Sequence, residues 1–478
     1  MKINKLITTL VLVFLLIQIT INSYAEENQN ENIVEPTTSA SDQTPTTITS
    51  LDNKVIQAYD ELTLYSPYAV LIEAKTGRIL YQRQAFTQMY PASTTKVMTA
   101  ILTLENCSLT DTATASYTAI HSVPYSYSIA NVQENETLTI EELLECLLIP
   151  SANDAAFILA EKVGGTLDNF YDMMNQKAKE IGCLNTHFVN PNGIHADDHY
   201  STVYDLALMG QYAMKNADFR RIVAMEECQI SDLYSPGDRK FKTTNNLLPN
   251  KKYAYSGVTG IKTGYTAPAK KTMISYCSRN NEDYILAVGG ADTTADYKDA
   301  RFLDCITLFD YAYNNFETKT FKKANSIIET KEIENATEDT KDLDILIEKN
   351  LDVLSKKTED LNSIKPTITY TSDFVAPIEK GITVGKIEYE IDGIKYTSNL
   401  ITGNEVKRSY KKEIILGAEI AGGVILFLII IKIISNRRKK RKERIYSDNN
   451  NKNNKRSGRK KPKHELSDGY FKYDYQKN

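Results

Sequence analysis

The chain has no Cys-x-x-Cys pair. Its six cysteines, Cys107, Cys146, Cys183, Cys228, Cys277 and Cys305, are scattered singly. Their spacing proposes no disulfide, so buried or free thiols are expected even in an exported protein. Histidine is scarce, at five residues, and none has metal-ligand spacing, so no metal is expected. Nor is there an excess of positive charge: a formal net charge of -4 over 478 residues argues against a nucleic-acid partner. No cofactor-binding motif stands out either.

What is present is an ordinary globular balance, 42% apolar and 25% charged, on a chain long enough for two domains with extensions. The two ends depart from this average. Residues 1–25, "MKINKLITTLVLVFLLIQITINSYA", carry lysine first, then a mainly apolar run, then Ser23 and Ala25 around Tyr24. That order is a secretory signal peptide with cleavage after Ala25; an uncleaved anchor is the rival reading, and either exports the body of the protein. Near the other end, residues 414–434, "IILGAEIAGGVILFLIIIKII", are long enough to cross a bilayer, with Glu419 near one end and Lys432 near the other. "RRKKRKER" follows at 437–444. Basic residues beside a span stay cytoplasmic, so the upstream domains are expected outside the cell membrane and the tail inside.

Between the ends, composition divides the chain. Residues 26–55 are polar and rich in Thr, Ser, Asn and Pro, and read as a disordered linker. From Tyr68, "YAVLIEAKTGRILYQ" reads as two strands joined by a turn at Gly77. Helical patterns follow, including "TLTIEELLECLLIP" with a capping box of Thr139 and Glu142. Strand patterns return in "TGIKTGYT", "KTMISYCSR" and "DYILAVGGA", and a helix, "DARFLDCITLFDYAYNNF", closes the region. Strands at both ends with helices between predict one α+β domain over 56–316 whose terminal strands share a sheet. Residues 317–410 read as a smaller β-rich domain preceded by a helical stretch, "DLDILIEKNLDVL"; from 446 onward the basic tail reads as disordered.

Three short motifs carry chemistry. "PASTTK" puts Ser93 and Lys96 one helical turn apart at the start of a buried helix. Serine needs a neighbour to take its proton, and a lysine with its ordinary pKa of about 10.4 cannot do so at neutral pH unless burial or a second cation lowers it. "PSAND" offers the hydroxyl of Ser151 and the amide of Asn153 in a loop between helices. "GIKTGYT" offers a cation, a hydroxyl and a close-approach glycine, Lys262, Thr263 and Gly264, at the head of a strand. Each motif has a bland reading, as helix cap, solvated face or turn, and each has a copy elsewhere: Ser457 with Lys460, Ser278 with Asn280, Ser447 with Asn449, and "AKTGR" at Lys75.

Their order and element contexts set the three above their copies. Through "YPASTTKVMTAIL", "LLIPSANDAAFILAE", "HFVNPNGI", "HYSTVYDLALMG" and "GIKTGYT" the chain resembles the low-molecular-mass penicillin-binding proteins, the serine D-alanyl-D-alanine carboxypeptidases, over roughly 60–405. "VAPIEKGITVGKIEYEIDG" is similar to that family's C-terminal β module. The resemblance implies a penicillin-binding, β-lactamase-like fold: an antiparallel sheet flanked by helices. It implies attack by Ser93 on the bond between the two terminal D-alanines of a peptidoglycan stem peptide, with Lys96 as base and Lys262 lowering its pKa. Ser151 would relay the proton to the leaving D-alanine, and Asn153 would hold the acyl-side amide. Backbone N–H groups of Ser93 and Tyr265 would form the oxyanion hole. Lys262 and Thr263 would bind the terminal carboxylate, helped by Arg301, and β-lactam antibiotics would acylate the same serine. Where some relatives have histidine after Lys-Thr-Gly, this chain has Tyr265, and where they often have an amphipathic helix it has an apolar span. The alternatives are a D,D-endopeptidase on cross-links, a serine β-lactamase, and a non-catalytic wall-binding protein.

Overall fold

Residues 69–72 are apolar without a break, a pattern that suits a strand covered on both faces. In the computed structural model, which describes residues 61–230, 239–296 and 298–454, these residues lie in β1 (Tyr68–Glu73). Val70 and Ile72 enter one hydrophobic cluster, Ala69 and Leu71 another, as the two-residue period of a strand requires. β1 turns back into β2 (Ile79–Arg83), with Gly77 at φ +76° in the turn. Two small antiparallel pairs follow, β3 (Thr112–Thr114) with β4 (Thr137–Thr139) and β5 (Glu227–Ile230) with β6 (Arg239–Lys242). The remaining partners of β1 come from far along the chain: β7 (Val258–Thr266), β8 (Lys270–Arg279) and β9 (Glu282–Ala291) complete a five-stranded antiparallel sheet ordered β2-β1-β9-β8-β7. The expected sharing of one sheet by terminal strands is what forms.

Helices cover both faces. α1 (Lys96–Asn106), α2 (Tyr117–His121), α3 (Ile140–Leu148), α4 (Asn153–Gly164), α5 (Leu167–Ile181), α6 (Val203–Ala213) and α7 (Ala217–Val223) contribute to the larger core. α8 (Ala300–Asn315) packs on the opposite face through Phe302, Leu308 and Phe309. Every residue of α1 from Lys96 to Thr103 is buried. Its Val97, Met98, Ile101 and Leu102 therefore contribute about 1.5–3 kcal/mol each to holding this helix at the centre of the domain. α3 begins with the expected reciprocal cap of Thr139 and Glu142.

The second module pairs β10 (Phe316–Lys322) with β13 (Leu351–Lys356). It also builds a five-stranded sheet from β11 (Ile327–Glu332), β12 (Asp342–Ile347), β14 (Thr367–Tyr370), β15 (Thr383–Ile391) and β16 (Ile394–Thr402), ordered β11-β12-β16-β15-β14. The helix expected in "DLDILIEKNLDVL" does not form; the segment is β12 and β13. Leu343, Ile345 and Ile347 alternate into the core, a two-residue period that outweighs the helix-compatible composition. Arg78 joins the two parts, donating to Leu354 O at 2.6 Å and pairing with Asp392.

α9 (Lys411–Asn454) is the one helix among the described residues long and apolar enough to cross a membrane. It continues through residues 446–454, where a disordered tail was expected. The signal peptide, the 26–55 linker and the last part of the basic tail lie outside the described residues. All six cysteines carry free thiols, five of them buried.

Candidate active site

Ser93 sits in a 3-10 turn, Ala92–Thr95, that runs directly into α1. Neither element has a side-chain cap, so Ser93 is not holding the helix end. The turn is clamped from several sides. Thr94 Oγ1 donates to Pro91 O at 2.7 Å and Thr272 Oγ1, from β8, to the same oxygen at 2.9 Å. Thr95 Oγ1 lies 2.8 Å from His199 Nε2, and His199 Nδ1 accepts from Val189 N at 3.2 Å. Burial drops the His199 pKa to about 3, so the ring is neutral, and with Nδ1 accepting, Nε2 carries the proton.

Lys96 is fully buried and its Nζ has three oxygen neighbours: Ser93 Oγ at 3.0 Å, Asn153 Oδ1 at 2.9 Å and Asn192 O at 2.8 Å. Burial first, and the charge of Lys262 second, hold its pKa well below the ordinary lysine range, against an opposing effect of Asp154. The neighbours then fix what a neutral amine does. Asn153 Nδ2 donates to Ser128 O at 2.8 Å, which turns Oδ1 toward Lys96. That oxygen and the backbone carbonyl of Asn192 can only accept, so they take the two amine protons. The lone pair is left facing Ser93 Oγ.

Asn153 opens α4, and the loop before it is only the four residues from Ile149 to Ala152. Ser151 has φ +71°, is 8% exposed, and its Oγ has no hydrogen-bond partner among the described residues. Asp154, next to Asn153, accepts from Ala130 N at 2.9 Å and Val132 N at 3.1 Å, and Arg239 pairs with buried Glu136. These two carboxylates hold the 128–136 loop whose Ser128 carbonyl orients Asn153.

Lys262, Thr263 and Gly264 lie in the middle of β7, not at its head, because the strand starts earlier, at Val258. Lys262 is 1% exposed and donates to Thr263 O at 3.0 Å. Burial, then the charge of Arg301, brings its pKa down to about 7. Thr263 Oγ1 lies 2.6 Å from Thr244 Oγ1. Arg301 donates to Gly264 O at 2.9 Å and pairs with Asp299 at 3.0 Å, so it braces the strand. The Tyr265 side chain is 60% exposed.

Two glycines let backbone segments meet at Ser93. A Cβ on Gly264 would lie 2.9 Å from Ser93 N, and one on Gly193, whose φ is +85°, would lie 1.8 Å from Ala92 O. Gly193→Ala is therefore expected to destabilise the protein by about 1–3 kcal/mol or more and to slow any chemistry at Ser93. Denaturant midpoints and the rate of labelling by a fluorescent penicillin measure both; an unchanged midpoint and rate would contradict the close approach.

The structure thus brings Ser93, Lys96 and Asn153 into one hydrogen-bonded group and sets the β7 strand against it. The sequence reading missed Asn192, His199, Thr244 and the Asp154 and Glu136 braces. "NPNG" was the available signal for the first, since Asn-Pro and Asn-Gly mark a turn.

The family model for D-alanyl-D-alanine carboxypeptidases matches residues 54–293. A D-alanyl-D-alanine carboxypeptidase from Bacillus subtilis, DacF, is 32% identical over 340 residues, covering 70% of this chain and 83% of the relative. The chain belongs to the D-alanyl-D-alanine carboxypeptidase family. It is accordingly a serine-type hydrolase. The family model for the C-terminal domain of penicillin-binding protein 5 matches residues 316–408. The solved structure of penicillin-binding protein 5 from Haemophilus influenzae aligns with a TM-score of 0.56 at 25% identity, over 73% of this chain and 99% of that one. A Streptococcus pneumoniae structure described as a peptidoglycan synthesis regulatory factor, PBP3, shares the fold with a TM-score of 0.60 at 23% identity, over 72% of this chain and 100% of that one.

The two buried lysines of this carboxypeptidase have a measurable signature. Each has a folded-state pKa below the unfolded value of about 10.4. Between those values the unfolded chain binds more protons than the folded one, so stability rises with pH, and for Lys262 the window opens at about 7. Lys262→Met removes that contribution. The stability difference between parent and variant should therefore move in the parent's favour from about pH 7 to about pH 10, read from denaturant midpoints; a difference independent of pH would contradict the assignment.

Proposed function

We propose that the enzyme removes the terminal D-alanine from peptidoglycan stem pentapeptides through an acyl-enzyme on Ser93. The observation that carries this reading is the fully buried Lys96, its pKa held well below the ordinary lysine range by burial and by Lys262, with Nζ 3.0 Å from Ser93 Oγ. As Oγ attacks the carbonyl of the penultimate D-alanine, its proton passes to Lys96 Nζ and the Oγ–C bond forms. The developing oxyanion takes hydrogen bonds from the backbone N–H groups of Ser93 and Tyr265. Ser151, whose Oγ has no competing partner among the described residues, gives its proton to the departing amine as the C–N bond breaks and takes the proton held on Lys96 in its place, which returns Lys96 to its neutral form. Water, activated by the same lysine, then releases the shortened peptide and restores Ser93.

Around these atoms Asn153 holds the acyl-side amide. Protonated Lys262 with Thr263 binds the terminal carboxylate, and Gly264 keeps that strand close; Arg301 supports it by bracing the Gly264 carbonyl. A β-lactam, which presents a carboxylate and an acylating carbonyl, enters the same site and remains on Ser93. α9 anchors the protein in the cell membrane, with the basic run at 437–444 on the cytoplasmic side and the catalytic domain outside. The test is release of free D-alanine from a stem pentapeptide compared with cleavage of cross-linked muropeptide dimers. Preferential D-alanine release is expected; cleavage of dimers alone would make the enzyme an endopeptidase, and rapid turnover of penicillin a β-lactamase.

A further inference from the structure

The end of the β-rich module from which α9 leaves is bonded down onto its neighbours. Gly403 N–H donates to Asp344 O at 2.7 Å, and Ile378 and Val406 exchange N–H···O bonds of 2.9 and 2.8 Å. Thr337 N–H donates to Lys407 O at 2.9 Å and Ser409 N–H to Asn335 O at 2.7 Å. At the helix itself Lys412 Nζ donates to Asn335 Oδ1 at 3.0 Å, and Arg408 pairs with Glu413 at 3.0 Å. Residues 403–410 are therefore a strap and not a free tether. The apolar run starts at Ile414, a helical rise of about 4.5 Å beyond Lys411. A bilayer that takes up α9 must come up against this end of the module.

Strand register shows what that end presents. Tyr370 pairs with Gly385 and Thr383 with Ile401, so the 371–382 loop lies at the same end of the sheet as the 403–410 strap. On the loop Val375 is 62% exposed and Ile382 44%, and on the strap Tyr410 is 59% exposed. Single exposed apolar residues are unremarkable, but these share the end from which an apolar helix departs. Tyrosine beside a span is moreover characteristic of the membrane interface. Charges on the loop and strap balance, Lys380, Lys407 and Arg408 against Asp373, Glu379 and Glu405, so they direct the surface neither toward nor away from anionic lipid.

We propose that this end of the β-rich module is itself a lipid-contact surface: Val375, Ile382 and Tyr410 enter the interfacial layer of the bilayer on the module's side. The module then seats on the membrane, and through Arg78 and its contacts with Leu354 and Asp392 that seating fixes the height and tilt of the catalytic domain. The proposal goes beyond the reaction and rests on α9 spanning the membrane.

The chain contains no tryptophan, so one introduced residue reports its own depth. Full-length Val375→Trp is reconstituted into phosphatidylcholine vesicles and compared with Lys395→Trp. Lys395 is exposed and lies at the other end of the sheet, pairing with Glu390 beside the β15–β16 turn. Fluorescence of Val375→Trp is expected to be blue-shifted and quenched by lipids brominated near the headgroup, roughly twofold or more beyond Lys395→Trp. Equal quenching at the two positions, or none at either, overturns the proposal. Ile382→Trp repeats the test on the same loop if Val375→Trp fails to fold. Flotation of the parent chain with the vesicles reports the anchor separately, and D-alanine release reports the active site.

Discussion

A chain carrying Lys96→Arg is expected to be acylated by penicillin about 10²–10⁴-fold more slowly than the parent, although a cation still fills the position. A guanidinium stays protonated at any pH the protein survives, so it has no lone pair to offer Ser93. The variant separates two explanations of why a lysine is buried there. If Lys96 only donated hydrogen bonds to Asn153 Oδ1 and Asn192 O, arginine would keep part of that function. If Lys96 is the base, arginine loses the chemistry while retaining the charge. Lys96→Met gives a second reading. It removes the base and also a buried group whose charged form burial penalises, so it is expected to be as inactive as Lys96→Arg without being less stable at acid pH. Stopped-flow acylation rates together with denaturant midpoints distinguish these outcomes; a Lys96→Arg rate within a few-fold of the parent would remove Lys96 from the role of base.

Ser93→Ala should reduce D-alanine release by about 10⁴-fold or more, because in the proposed mechanism the acyl-enzyme forms on Ser93 alone. Its stability should change by no more than about 0.5 kcal/mol. The reason is local: Ser93 caps no helix, it is only partly buried, and its Oγ contacts Lys96. Ser151→Ala is a useful companion. Its hydroxyl is also without structural work among the described residues, so loss of activity with an unchanged midpoint would place it in proton transfer to the leaving group. Loss of stability in Ser93→Ala would instead return that serine to the role of a cap.

The sequence was legible where a local pattern and its long-range consequence agreed. Residues 68–83 announced a hairpin, and the strand patterns after 258 completed its sheet, since both segments are apolar on two faces and need the same helices to cover them. The Ser93, Lys96 and Asn153 grouping was readable because family order supplied the long-range pairing that spacing could not. "DLDILIEKNLDVL" was misread because leucine and isoleucine serve either period, and only the alternation of Leu343, Ile345 and Ile347 decides it. The third acceptor on Lys96 was hidden for a different reason. Asn192 contributes its backbone carbonyl, which every residue has, and it reaches the site through a turn 96 residues away in sequence. The braces from Asp154, Glu136 and Arg239 were equally hidden, since surface-type residues disclose a buried role only once their partners are known.

Covalent capture tests the central claim most directly. The purified full-length enzyme is incubated with benzylpenicillin, digested, and its peptides are sequenced by mass spectrometry. One penicilloyl group is expected, on Ser93 in the peptide containing "PASTTK", and it should disappear in Ser93→Ala. An adduct on Ser151 or any other residue, or an adduct that persists in Ser93→Ala, would contradict the assignment of Ser93 as the nucleophile.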